Sequence, residues 1–179
     1  SSPHIAGLGA WLAGVHPDWS PMMIKSSLMT GASRFDNMGM PLQGTPLDFG
    51  SGQVRPTESI NPGLAYDSNI IDWIGYLCGT ELGPDFCDAR GIPVLSASNL
   101  NYPTVSIGAL AGSRTITRTV TSTSSATETY NAVVEAPAGM SVSVSPRHFT
   151  IAAGGMKTFS MTITNASAAL GEWTFGRVT

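Results

Sequence analysis

The sequence is short of charge, of cysteine and of long apolar runs, and each shortage excludes something. Asp, Glu, Lys and Arg make up 12% of the 179 residues, with a net charge of −3. Lysine occurs only at Lys25 and Lys157, and the basic residues are scattered as far as Arg177, so no phosphate-tracking surface forms and nucleic acid is not expected as a partner. No apolar run approaches the roughly 20 residues that cross a bilayer, and no basic region precedes the apolar start. Neither a membrane span nor a signal peptide is expected within the chain. Two cysteines, Cys78 and Cys87, are too few for a disulfide-dense miniprotein or an all-cysteine zinc site.

What is present is enough for a real core, at 42% hydrophobic residues, and it falls into two textures. Up to about Cys87 the chain reads as helices joined by Gly/Pro-rich connectors. The first helix is expected from Pro3 to about Val15, apolar or small all round and therefore suited to burial on every side. The second has Ser20 as cap, Pro21 at the first helical position and Met22 to Thr30 as its body, ending at Gly31. A third is expected with Asp67 or Ser68 as cap, Ile70, Trp73, Ile74 and Leu77 on one face, and Gly79 as its end. Between them "GMPLQGTPLDFGSGQVRPTESINPGLAYD" predicts turns with at most short strands.

After about Pro93 the pattern changes to period-two stretches rich in Val, Ile and Thr. "SRTITRTVTS", "TYNAVVEA", "MSVSVSP", "HFTIAA" and "KTFSMTITN" predict strands, separated by turn signals such as "PAG" and "AGG". In Ser113 to Ser122, Ile116 and Val120 are assigned to a buried face and the hydroxyl and basic residues to a wet one. Six or seven strands are expected between Tyr102 and Thr179, the signature of an all-β sandwich.

Candidate chemistry is sparse. His4, His16 and His148 are the possible bases, but no pair has metal-ligand spacing and no HExxH occurs, so no metal and no cofactor is expected. Gly50-Ser51-Gly52 fits neither a phosphate loop nor a nucleophile elbow and reads as a turn. Asp67 and Asp72 straddle a helix start, where capping accounts for them. The methionines from Met22 to Met40 read as core filler.

Taken together, "SSPHIAG", "HPDWSPMMIKSSLMTGAS", "DFGSGQVRPTESINPGLAYD" and "IGYLCG" resemble the back end of a subtilisin-like serine peptidase of the plant type. "LNYPTVSI", "TITRTVTS", "TYNAVVEAPAGMSVSVSP" and "GEWTFGRVT" resemble the fibronectin-III-like domain that follows it. The resemblance implies the C-terminal part of an α/β subtilisin-like domain over residues 1–92 and an all-β fibronectin-III-like sandwich over residues 93–179. Gln53 departs from the histidine of many relatives.

In that family the nucleophilic serine immediately precedes a small-small-Pro-His stretch, matched here by Ser1-Ser2-Pro3-His4. The resemblance therefore implies a nucleophile two positions before Ser1, with the triad aspartate and histidine further upstream, and a further strand beyond Thr179. It implies a secreted endopeptidase acting on proteins or peptides, of which this segment alone is inactive. The competing expectation is a non-catalytic fibronectin-like interaction module with a helical cap. Cys78 and Cys87, separated by "GTELGPDF", are expected to form a disulfide, the alternative being two buried thiols. Asn165, in the sequon Asn165-Ala166-Ser167, is the candidate glycosylation site.

Overall fold

The computed structural model describes residues 2–179. Ser1, the first residue of the small-small-Pro-His motif, lies outside the described residues. Helix α1 (Ser2–Val15) is followed by α2 (Pro21–Thr30), the single-turn helices α3 (Pro46–Phe49) and α4 (Pro56–Ile60), strand β1 (Leu64–Tyr66), α5 (Ile70–Thr80) and α6 (Pro84–Asp88). Seven strands then follow, β2 (Ser113–Ser122), β3 (Glu128–Asn131), β4 (Val134–Glu135), β5 (Met140–Ser145), β6 (His148–Ile151), β7 (Met156–Asn165) and β8 (Arg177–Val178).

Local chemistry explains the best-formed helices. The Ser20 hydroxyl accepts from Met23 N at 3.0 Å and donates to Asp67 Oδ1 at 2.6 Å, so the cap of α2 is itself anchored on the start of the third long helix. That third helix, α5, is capped differently from expectation. Asn69, not Asp67 or Ser68, accepts from Ile71 N, and Asp72 returns a carboxylate to Asn69 N at 2.8 Å, closing a capping box.

Two further expectations for α5 are corrected. The helix runs past Gly79 to Thr80, because Gly79 serves close approach instead of termination. A Cβ there would collide with the carbonyl oxygen of Leu95, and one at Gly75 with that of Pro93. The segment crossing at 93–96 is held to the helix by Leu95 N donating to Gly75 O at 3.0 Å. The side that packs is therefore the small one, Gly75 and Cys78, and of the periodic apolar set Ile70, Trp73 and Leu77 stay exposed. Helix α1 departs in the same way. Leu12 is fully buried, whereas Ile5, Trp11 and Val15 are each 42% exposed.

The Gly/Pro-rich stretch holds, besides its turns and the short strand β1, the single-turn helices α3 and α4, which were not expected there because each rests on a Pro at its first position, a residue that also reads as a turn signal. Two short bridges, Ser33 with Gln53 and Phe35 with Pro41, pin it. Gly52 has φ +123° and lies so close to Ser33 O that a side chain would collide with it, which is the turn role expected of Gly50-Ser51-Gly52. Met38 and Met40 are not core filler. They sit exposed on a turn closed by the Asp36 carboxylate, which accepts from both of their amides.

The main sheet has the order β1-β2-β7-β5, all antiparallel, and the ribbons β3-β6 and β4-β8 complete the β half. Its inner face buries Ile116, Val120 and Met161. Its outer face is a ladder of hydroxyls, with Thr115 bonded to Thr162 and Thr119 to Thr158, both at 2.8 Å. Strand β1, from the helical half, extends this sheet by pairing Leu64–Tyr66 with Val120–Ser122.

Candidate functional site

The three candidate bases lie far apart in role. His4 is exposed on α1. His16 stacks flat on Trp19 with ring centroids 3.9 Å apart, and its Nε2 meets Ile60 O at 2.8 Å. His148 Nδ1 meets Asn131 Oδ1 at 2.7 Å across β3 and β6. Of the buried serines, Ser122 at the end of β2 has a hydroxyl without a hydrogen-bond partner among the described residues, while three others are committed to the backbone. Ser26 Oγ accepts from Tyr66 N, Ser27 Oγ donates to Ile24 O, and Ser59 Oγ donates to Arg55 O. Among the described residues no serine hydroxyl is hydrogen-bonded to a histidine, and no group of three His, Cys, Asp or Glu side chains forms a metal site.

The structure instead concentrates its polar chemistry where the helical half meets the sheet. Strand β1 covers only the last residues of β2, so the preceding edge of β2 needs other partners. Asn99 and Asn101 supply them, two residues apart like the positions they serve. Asn99 Oδ1 accepts from Thr117 N at 3.1 Å and Asn101 Oδ1 from Thr119 N at 2.9 Å. Asn101 Nδ2 donates to Thr119 O at 2.8 Å and to Asp67 O at 2.6 Å, so one side-chain amide continues the sheet ladder and ties it to the entry of α5.

On the opposite face of β2, Arg118 occupies a position assigned to the wet side by its charge. It is 2% exposed, between Ile116 and Val120. The guanidinium is sustained by carbonyls, with Nε donating to Tyr102 O at 2.9 Å and the terminal nitrogens to Thr117 O at 2.9 Å and Thr104 O at 3.3 Å. Burial lowers its pKa, an effect opposed by the neighbouring Tyr66. Burial likewise raises the pKa of Tyr66, with Arg118 pulling the other way. Arg118 thus fastens residues 102–104 over the strand that Asn99 and Asn101 hold from the edge.

Between these parts lies an open cleft of about 470 Å³ lined by Asp67, Asn69, Asp72, Asn99, Asn101 and Thr117, with further threonines of β2. Its carboxylates already accept from Ser20 and from the Asn69 amide, so the arrangement acts as a hydrogen-bonded weld between two parts of the chain. Sequence reasoning passed over Asn99, Asn101 and Arg118. The i, i+2 spacing of the two asparagines against a threonine-rich strand was the available signal.

The remaining predicted site residues are placed as follows. Cys78 and Cys87, both buried, are joined by a disulfide that ties α6 back onto α5. Asn165 ends β7, partly exposed, with its Oδ1 accepting from Ala168 N at 2.9 Å.

Comparison with known proteins adds two findings. Residues 99–179 match the fibronectin type-III domain family, the stretch that begins at the first welding asparagine. The whole chain is 36% identical to the subtilisin-like protease SBT2.6 of Arabidopsis thaliana over 24% of that protein. It is also 34% identical, over 99% of the chain, to SBT2.5 of the same plant, again over 24% of that protein, and 35% identical to the subtilisin-like serine-protease S of Lotus japonicus over 26% of it. The chain spans about a quarter of the length of these relatives.

Proposed function

We propose, for a chain related along its whole length to plant subtilisin-like proteases, that it is a segment of a serine endopeptidase that hydrolyses peptide bonds in proteins. In this reading residues 1–92 are the last part of the peptidase domain and residues 93–179 the appended fibronectin-like sandwich. The triad aspartate, histidine and serine belong to other parts of the protein. The segment contributes α1 as the helix that follows the nucleophile, and, through Asn101 Nδ2 on Asp67 O and the pairing of β1 with β2, the attachment of the sandwich to residues 1–92.

The observation that carries the reading is the state of α1. A helix of 14 residues without a charged side chain buries only Leu12 here, and Gly7, Gly9 and Gly14 face open space. Such a helix has the composition of one packed on all sides, and a central sheet of a peptidase domain is the partner the family resemblance supplies. The start of that helix offers unpaired amides and the positive end of its dipole, which suit stabilisation of an oxyanion beside a nucleophile. The disulfide and the sequon at Asn165 fit a secreted protein that carries a glycan there.

A fluorophosphonate probe tests the assignment, because it labels only an activated serine. The chain alone is expected to remain unlabelled, and the longer protein containing it to be labelled at one serine outside the chain. Stoichiometric labelling of a serine within the chain, or no labelling of the longer protein, would overturn the proposal, and the second result would favour a non-catalytic interaction module.

A further inference from the structure

We propose that the free edge of the main sheet, strand β5, is an interface between two copies of this chain, paired antiparallel about a two-fold axis at Ser143. The sheet order β1-β2-β7-β5 leaves β5 with one neighbour. Beyond its ladder with β7, the strand's backbone is bonded, among the described residues, through Met140 N to Pro137 O and from Ser160 Oγ to Ser145 O, so the outward groups of Ser141 to Val144 have no partner among the described residues.

Natural sheets guard such an edge with lysine, proline, a bulge or a covering segment. "MSVSVS" carries none of the guarding residues, and six uncharged residues in continuous register with β7 make it an unguarded template. Pro146 and Arg147 follow immediately and end the strand.

The occupant follows from the alternation. Val142 and Val144 belong to the half-buried inner face, and Ser141, Ser143 and Ser145 are exposed on the outer face. In an antiparallel pair, directly opposed residues share a face, so a two-fold axis through Ser143 sets Ser141 against Ser145 and Val142 against Val144. The pattern is therefore complementary to itself, valine meeting valine and hydroxyl meeting hydroxyl.

The outer face shows that this chemistry already works inside one copy. Cross-strand hydroxyl pairs join Thr115 to Thr162 and Ser113 to Thr164, and Ser143 extends the Thr115–Thr162 row to the edge. A second copy would continue that row through Ser143 without bringing any charge into register. A five-residue overlap is short, so the dimer belongs to the weak, concentration-dependent class.

Sedimentation velocity of the whole chain over a wide concentration range is the test, with Ser143→Lys and Ser143→Glu as variants. The axis at Ser143 places each substituted residue against its own copy, and like charges opposed across strands weaken pairing. The wild-type chain is expected to dimerise reversibly, each variant to associate at least about tenfold more weakly, and an equimolar mixture of the two to recover the dimer. Recovery in the mixture shows that both variants fold, and Ser143→Thr should leave the dimer intact. A wild-type chain that stays monomeric throughout overturns the proposal. So does association that Ser143→Lys does not weaken, which would assign it to the apolar helical surfaces. Failure of the mixture to recover, with both variants giving the wild-type circular dichroism spectrum, places the axis elsewhere and overturns it as well. These outcomes are independent of whether the longer protein reacts with a fluorophosphonate.

Discussion

The helical half and the sheet half obey different rules about what their apolar residues touch. In the sheet half the period-two pattern on β2 finds its partner within the chain, and Ile116 and Val120 are buried to within 1%. In the helical half the strongest apolar periodicity, on α5, points outward, with Ile70 at 59% exposure, and α1 buries only Leu12. The difference teaches that periodicity marks a face that requires burial without naming what buries it. A strand carries its nearest partner in the next ladder, whereas a helix face is satisfied by whatever element arrives from elsewhere.

The largest test of this contrast compares two large-to-small substitutions. Ile116→Ala removes a fully buried side chain from the sheet core and is expected to cost about 2–5 kcal/mol. Trp11→Ala removes a larger side chain from a helix that leaves it 42% exposed, and is expected to cost well under half as much in the chain as it stands. Denaturant midpoints at constant slope measure both. Equal costs would mean that α1 is as firmly housed as the sheet core. Hydrogen exchange should agree, with amides of α1 exchanging faster than those of β2 and β7.

Next in size is the weld. Arg118→Met keeps an apolar stem under the strand but withdraws every donor from Tyr102 O and Thr104 O. Leaving those carbonyls unpaired is expected to cost about 2–3 kcal/mol. Arg118→Lys should recover only part of that, since one ammonium cannot reach three divergent acceptors with the geometry of a guanidinium fork. If both variants unfold at the wild-type midpoint, the 102–104 segment is not held to β2 through this residue. Gly79→Ala, which forces a Cβ against Leu95 O, is expected to cost about 1–3 kcal/mol by pushing the 93–96 segment off α5.

Legibility followed the same division. The strands of the β half, the Ser20-Pro21 start of α2 and the turn at Gly50-Ser51-Gly52 were readable because each depends on neighbours in sequence. The sense of α5 was not, because its packing side is defined by Gly75 and Gly79, residues that leave no mark on a hydrophobic pattern. Arg118 was misplaced because charge was read as exposure, although three carbonyls supplied from its own strand and the 102–104 segment can sustain a guanidinium out of water. The sheet also begins earlier than the change of texture implies, since Leu64–Tyr66 lies at the end of a turn-rich stretch in which only short strands are expected.

The smallest expected effect reports directly on the contact between the halves. Tyr130 on β3 donates to Glu128, and its hydroxyl lies over Gly63 of the helical half, so close that a side chain there would touch it. Burial, then the bond to Glu128 and its charge, push the Tyr130 pKa up to about 12. The folded pKa lies above the unfolded value near 10, so the neutral phenol is the form the fold favours. The stability linked to this group is complete below pH 10 and is lost as the pH rises through about 12. Residue-resolved NMR titration of the tyrosine rings should therefore show Tyr130 ionising with a midpoint near 12, read separately from Tyr66, whose burial also raises its pKa. Glu128→Gln should bring that midpoint down without restoring 10, because burial, the largest cause, remains. In Asn101→Ala, which withdraws the side-chain bond to Asp67 O, a Tyr130 midpoint that falls toward 10 without reaching it, while the β signal in circular dichroism persists, would show the halves parting at Gly63 with the Glu128 bond still in place. A midpoint unchanged from wild type would mean that the β1–β2 pairing and the bond from Thr123 N to Gly63 O keep them joined without Asn101.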